Sequence, residues 1–177
     1  MYFSVRLIMV QLPRSTKLTM PDVRLSDGNI KRPDASFGIR PRALPNPPPS
    51  WLKFLPDRGP YPNVIVEVEV DSEGLETLQD DCHRYFSNTT SVCIWIGIKV
   101  WAESRKFWVA WAERSANGDS AVIHSNIRIY SVDTPVDLIH HIPMQTVYGN
   151  GIPIPPNSPD TLEIDYDEIR SLIQEYL

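Results

Sequence analysis

The sequence predicts an α/β domain: a mixed central sheet with one packed helix and an appended β-hairpin. Three observations carry this. Val64-Ile65-Val66-Glu67-Val68-Glu69-Val70 is the most strand-like run of the chain, rich in β-branched residues and bounded by Pro62 and Ser72-Glu73-Gly74. Leu75, Leu78, Cys82, Tyr85 and Phe86 then recur at helical spacing. Val92 to Trp101 follows as a second apolar run of strand character. A strand, helix, strand order of that length makes the two strands parallel neighbours or near-neighbours.

Taken in order, residues 2–12 read as a strand, and Asp22–Ser26 and Ile30–Ile39 flank the hairpin signal Asp27-Gly28. Asp34 falls on the second arm. Residues 41–62 are a proline-rich loop pinned by Trp51, Phe54 and Tyr61. Ser72 is placed to cap a helix over 73–87, with Glu73 and Glu76 near the positive end of its dipole. Lys106–Glu113 is a strand with Phe107, Val109 and Trp111 on one face and Trp108 and Ala110 on the other. Ala116–Asp119 is a turn, and Ala121–Tyr130 returns as the second arm of that hairpin. Residues 131–159 read as irregular. Thr161–Tyr166 reads as an edge strand and Asp167–Leu177 as an amphipathic helix through Ile169, Leu172, Ile173 and Tyr176. Residues 1–159 thus form one domain, with 160–177 a strand and helix tail packed on it.

The chain has 177 residues, 42% hydrophobic, enough for one domain with a real core. No run approaches the roughly 20 apolar residues of a membrane span. The apolar start is broken by Arg6 and no small-residue cleavage site follows, so no signal peptide is expected and the reading is intracellular, in cytoplasm or nucleus. Cys82 and Cys93, the only cysteines, lack zinc-like spacing and read as free thiols, with a disulfide as the alternative. The net charge of −5 resides in the tail, where Asp160, Glu163, Asp165, Asp167, Glu168 and Glu175 face only Arg170. Around Asp34, by contrast, Lys31, Arg32, Arg40, Arg42, Lys53 and Arg58 form a basic zone, either a surface for a polyanion or a solvated loop.

Side chains alternate along a strand, so Glu67 and Glu69 share one face, roughly 7 Å apart, while Val64, Val66, Val68 and Val70 fill the other. Two acids there call for a metal, a basic group or water. Asp34 is a third acid on a separate element, and an Asp followed by a spaced acid pair is the layout of a divalent-metal phosphodiesterase site. The bland readings stay open: Asp34 paired with Lys31 or Arg32, and the glutamates paired with Arg84 or Lys99. His83 reads as a surface residue, His124 as a strand residue paired locally, and His140-His141 as a loop pair without a partner. Tyr85 reads as a packing residue, with reach to the site from the helix as the alternative.

The motifs Pro33-Asp34-Ala35-Ser36-Phe37, Pro62-Asn63-Val64-Ile65-Val66-Glu67-Val68, Ser72-Glu73 and Leu78-Gln79-Asp80-Asp81 occur in that order. This resembles the PD-(D/E)XK, or restriction-endonuclease-like, superfamily, and more closely its Uma-type branch in the fungal form, over about residues 29–101. The resemblance implies a magnesium- or manganese-dependent nuclease acting on DNA, often as a homodimer. Asp34 and Glu67 would be the metal ligands, Glu69 a third, and Arg84 would steady the scissile phosphate. The family lysine normally sits two residues after the second acid, where this chain has Glu69, and the following helix carries His83 and Arg84 but no lysine. A catalytically inactive relative that serves as a binding or interaction module is the alternative.

Overall fold

The structure, a computed structural model, describes residues 16–19, 23–24, 29–39, 43–55, 59–71, 74–115, 120–125 and 128–177. The strand expected over 2–12, the turns at Asp27-Gly28 and Ala116–Asp119, and the Ser72 cap lie outside them. The described chain is mixed α and β. Its main sheet runs in the order β1 (Thr16–Thr19), β4 (Ala35–Ile39), β7 (Val64–Val70), β8 (Ile94–Trp101), β9 (Lys106–Arg114), β10 (Ala121–Ser125), with β11 (Tyr130–Ser131) also on β9. Only β7 and β8 are parallel, joined by the crossover helix α1 (Leu75–Tyr85). The other pairs are antiparallel.

The sheet is covered on both faces, which is why β8 is apolar on both. Ile65, Trp95, Trp108, Ala110 and Ala112 pack with Leu78, Cys82 and Tyr85 of α1 and with Phe86 at its C-cap. Val64, Val66, Ile96, Ile98, Phe107, Val109 and Trp111 pack on the other side with Ile142, Leu162, Ile164, Tyr166, Ile169 and Ile173. The expected alternation on the Val64 and Lys106 strands is therefore what is found.

Several elements differ from the sequence reading. The Ile30–Ile39 arm is broken: β3 (Ile30–Lys31) pairs with β2 (Val23–Arg24), and Asp34 lies in the bend before β4. Pro33 lacks an amide hydrogen and its ring restricts Arg32, so the extended run turns there. The helix starts at Leu75, with Gly74 at the cap and no side-chain cap bond. The segment 131–159 is not wholly irregular: β12 (Ile139–Pro143) and the one-turn helix α2 (Met144–Tyr148) lie in it. β12 pairs with β13 (Thr161–Asp165), which is thus not an edge strand of the main sheet. α3 (Tyr166–Tyr176) covers the face opposite α1, so the sheet has more than one packed helix. Tyr176, expected on its apolar side, is exposed.

The proline-rich loop contains a small ribbon, β5 (Phe54–Leu55) with β6 (Gly59–Pro60). Trp51 pins it by donating from Nε1 to the Asn150 carbonyl at 2.7 Å, and Tyr61 is buried, but Phe54 is exposed. Cys82 and Cys93 are free and belong to core clusters on opposite faces of the sheet. No helix of the described residues is long and apolar enough to cross a membrane.

Candidate active site

The site forms where β4 begins, beside β7 and under α1. The β4–β7 ladder runs from Phe37–Val64 to Ala35–Val66. Just beyond it, the Asp34 carboxylate accepts the Val68 amide through Oδ2 at 2.8 Å. Asp34 therefore has a structural duty: it satisfies a backbone donor that the ladder leaves over. One carboxylate oxygen remains for other work.

Glu67 lies on the α1 face of β7 and is 5% exposed. Tyr85, in the last turn of α1, donates to Glu67 Oε1 at 2.5 Å. The Lys31 ammonium stands 3.8 Å from the same oxygen and bonds Asp81 Oδ2 on α1. Arg84 Nη1 lies 3.5 Å from Asp81 Oδ1. Asp81 and Tyr85 are one helical turn apart, so α1 delivers both to one place. Its last turn is held by Thr90, which donates to the Tyr85 carbonyl. Arg114 locks the crossover by donating to Val92 O at 2.7 Å, Ser87 O at 3.0 Å and Thr90 Oγ1 at 3.0 Å.

Burial pushes the Glu67 carboxyl up to about 7, against the opposing pull of Lys31 and the Tyr85 hydrogen bond; the charges of Asp34 and Asp81 push it further up. Three carboxylates are thus close enough to feel one another. The Tyr85 hydroxyl is pushed well above its usual range by burial and by Glu67, so it remains a donor. Glu67 is the group in this site that changes charge near neutrality.

Of the expected site residues, Asp34 and Glu67 come together. Glu69 is half-buried on the same face as Glu67 and opposite Lys99 in register. Arg84 is in the same region, on Asp81. Lys31, one of two candidate partners for Asp34, serves Glu67 and Asp81. Asp81 is visible within Leu78-Gln79-Asp80-Asp81, but nothing in the sequence shows that it shares a cation with Glu67. Tyr85 packs in the core and also reaches the site from the helix, through Glu67.

The histidines lie elsewhere. His124 Nε2 is 3.0 Å from Glu113 Oε1 and the ring stacks on Trp111 at 4.0 Å, so it pairs locally as expected. His140 and His141 are on β12, not in a loop, and His141 Nδ1 is 3.4 Å from Glu163 Oε1 on β13. His140 instead packs edge-on against Tyr166.

Magnesium takes oxygen donors, and Asp34, Glu67 and Asp81 supply them. As arranged here Glu67 and Asp81 face the Lys31 ammonium while Asp34 accepts the Val68 amide, and among the described residues no group of three His, Cys, Asp or Glu is disposed around a metal position. The donor set suits magnesium in kind; its present geometry suits an ammonium. No protein-family model matches this chain, and no curated protein matches it.

Proposed function

We propose that this is a nuclease-like domain whose acid cluster hydrolyses DNA phosphodiesters with magnesium, held in a lysine-closed resting arrangement. The observation that carries the reading is the convergence of Asp34, Glu67 and Asp81 from a strand start, a central strand and a helix, with the buried Glu67 feeling both aspartates. Grouped carboxylates are costly without a cation to face. Asp34 and Glu67 would hold the metal, with Asp81 or Glu69 as the third carboxylate. When bound, magnesium would lower the pKa of a water and offset charge on the phosphate.

The chain's own residues have separate tasks in this reading. Val68 N–H fixes one Asp34 oxygen and so aims the other. Tyr85 fixes one Glu67 oxygen. Lys31, with its side chain 30% exposed, neutralises Glu67 and Asp81 until a divalent cation replaces it. Arg84, paired with Asp81 and with its side chain 47% exposed, is accessible to a backbone phosphate. A homodimer would bring two such sites to a duplex.

A second reading has an observation of its own. Glu67 and Asp81 already have internal cationic and hydrogen-bond partners, as a site that no longer turns over would keep for packing. The chain would then be a binding or interaction module on the same fold. Supercoiled plasmid and single-stranded DNA incubated with magnesium or manganese separate the two. The nuclease reading expects cleavage by the wild type and none by Asp34→Asn or Glu67→Gln. DNA binding without cleavage favours the module. Neither binding nor cleavage removes DNA from the account.

A further inference from the structure

Lys99 is 1% exposed, and its ammonium has no hydrogen-bond acceptor among the described residues. The amine stands 6.0 Å from the ring centre of Trp101. In register it lies between Glu69 on β7 and Trp108 on β9. Residues in register share a face, so Lys99 belongs to the face that carries Glu67, Glu69 and α1. A desolvated ammonium without an acceptor is among the costliest groups a fold can keep. Packing does not ask for it, since Met or Leu would fill the same volume.

A second donor on the same strand face is in the same condition. Trp95 Nε1 is buried and also lacks an acceptor. The Trp95 ring lies over Gly97, the register partner of Glu67, and a Cβ at Gly97 would stand 2.1 Å from it. On the face that carries Glu67 and Glu69, β8 therefore has two N–H donors without an acceptor among the described residues. Grouped acids select a cation, whereas orphaned donors select an anion. A ligand that brings both is a phosphate accompanied by a metal ion.

The place is also right for entry. Along β7 burial falls from Glu67 to half-buried Glu69 and Val70, and Trp101 at the end of β8 is half-buried. Ligands of sheets with parallel strands collect at these carboxyl ends. Lys99 lies two residues before the end of β8, and its ammonium stands by the Trp101 ring at that end.

We propose that Lys99 is the anion-receiving residue of this site, pairing its ammonium with a phosphate oxygen of the bound phosphodiester. This rests on the phosphodiester reading above. The ammonium offsets charge on the phosphate; no bond to it forms or breaks.

The test uses Lys99→Met, Lys99→Gln and Lys99→Arg in the full chain, titrated with inorganic phosphate with and without magnesium and followed by tryptophan fluorescence. Magnesium alone is titrated into the same samples. The expected result is phosphate binding by the wild type, a loss of about tenfold or more in Lys99→Met, and recovery in Lys99→Arg. Lys99→Met should also melt at or above the wild-type temperature, since it removes an unpaired buried charge; Lys99→Gln answers the binding question should Met fail to fold. Phosphate binding indifferent to residue 99, or absent in the wild type under both conditions, overturns the proposal. Magnesium binding with phosphate indifferent to Lys99 leaves the nuclease reading standing without it. Phosphate held by Lys99 with no magnesium binding does the reverse.

Discussion

Glu67 couples the site to pH. Its carboxyl is shifted up to about 7 in the folded chain, above the ordinary 4.5. Between those values the folded state holds a proton that the unfolded state has released, so stability falls as pH rises through that window and levels off above it. A shift of this size corresponds to ~3 kcal/mol as an order of magnitude. Glu67→Gln keeps an acceptor for Tyr85 and removes the charge, so urea midpoints at pH 5 and pH 8 should differ for the wild type and coincide for the variant. Coincident wild-type midpoints would contradict the buried acid. At this scale the sequence was partly legible. Period-two alternation put Glu67 and Glu69 on one face of an otherwise β-branched strand. It could not show that Lys31, far earlier in the chain, neutralises Glu67, because that depends on the bend at Pro33-Asp34.

At the scale of elements, strands with strong alternation were legible and pairing across long separations was not. β7, β8 and β9 announce themselves by β-branched and aromatic content, and the crossover length fixes β7 and β8 as parallel. β12 escaped notice because Ile139-His140-His141-Ile142-Pro143 alternates poorly and buries only Ile142 well. Two substitutions test the elements. Gly97→Ala places a methyl against the Trp95 ring in the centre of the sheet, at an expected loss of ~1–3 kcal/mol by overpacking. Adding Trp95→Leu should restore part of that loss, which a double-mutant cycle in denaturant reads as coupling. Asp165 caps α3, accepting the amides of Asp167 at 2.8 Å and Glu168 at 3.1 Å. Asp165→Ala should lower stability by ~1 kcal/mol. An unchanged urea midpoint would show that β13 holds the helix start without it.

At the scale of the whole molecule, the C-terminal strand and helix expected to pack on the domain share its core: β13 pairs with β12, and Tyr166, Ile169 and Ile173 enter the core on the face opposite α1. The acids occupy the outer side of this segment, where Asp160, Glu163, Glu168 and Glu175 are exposed, and amphipathic spacing alone could not say which sheet face the helix covers. A chain ending at residue 159 strips Leu162, Ile164, Tyr166, Ile169 and Ile173 from the core on that face of the sheet. It should fail to give the cooperative thermal transition of the full chain; a two-state melt would contradict a shared core.

The most direct test of the central claim is calorimetric titration of magnesium at low ionic strength into the wild type, Glu67→Ala and Lys31→Met. The account predicts binding by the wild type that strengthens as pH rises through about 7, because Glu67 must lose its proton. It predicts loss of binding in Glu67→Ala and tighter binding in Lys31→Met, which removes the competing ammonium. No binding by the wild type or Lys31→Met at millimolar metal would contradict the metal site and leave the acid cluster as an internal ion-pair network.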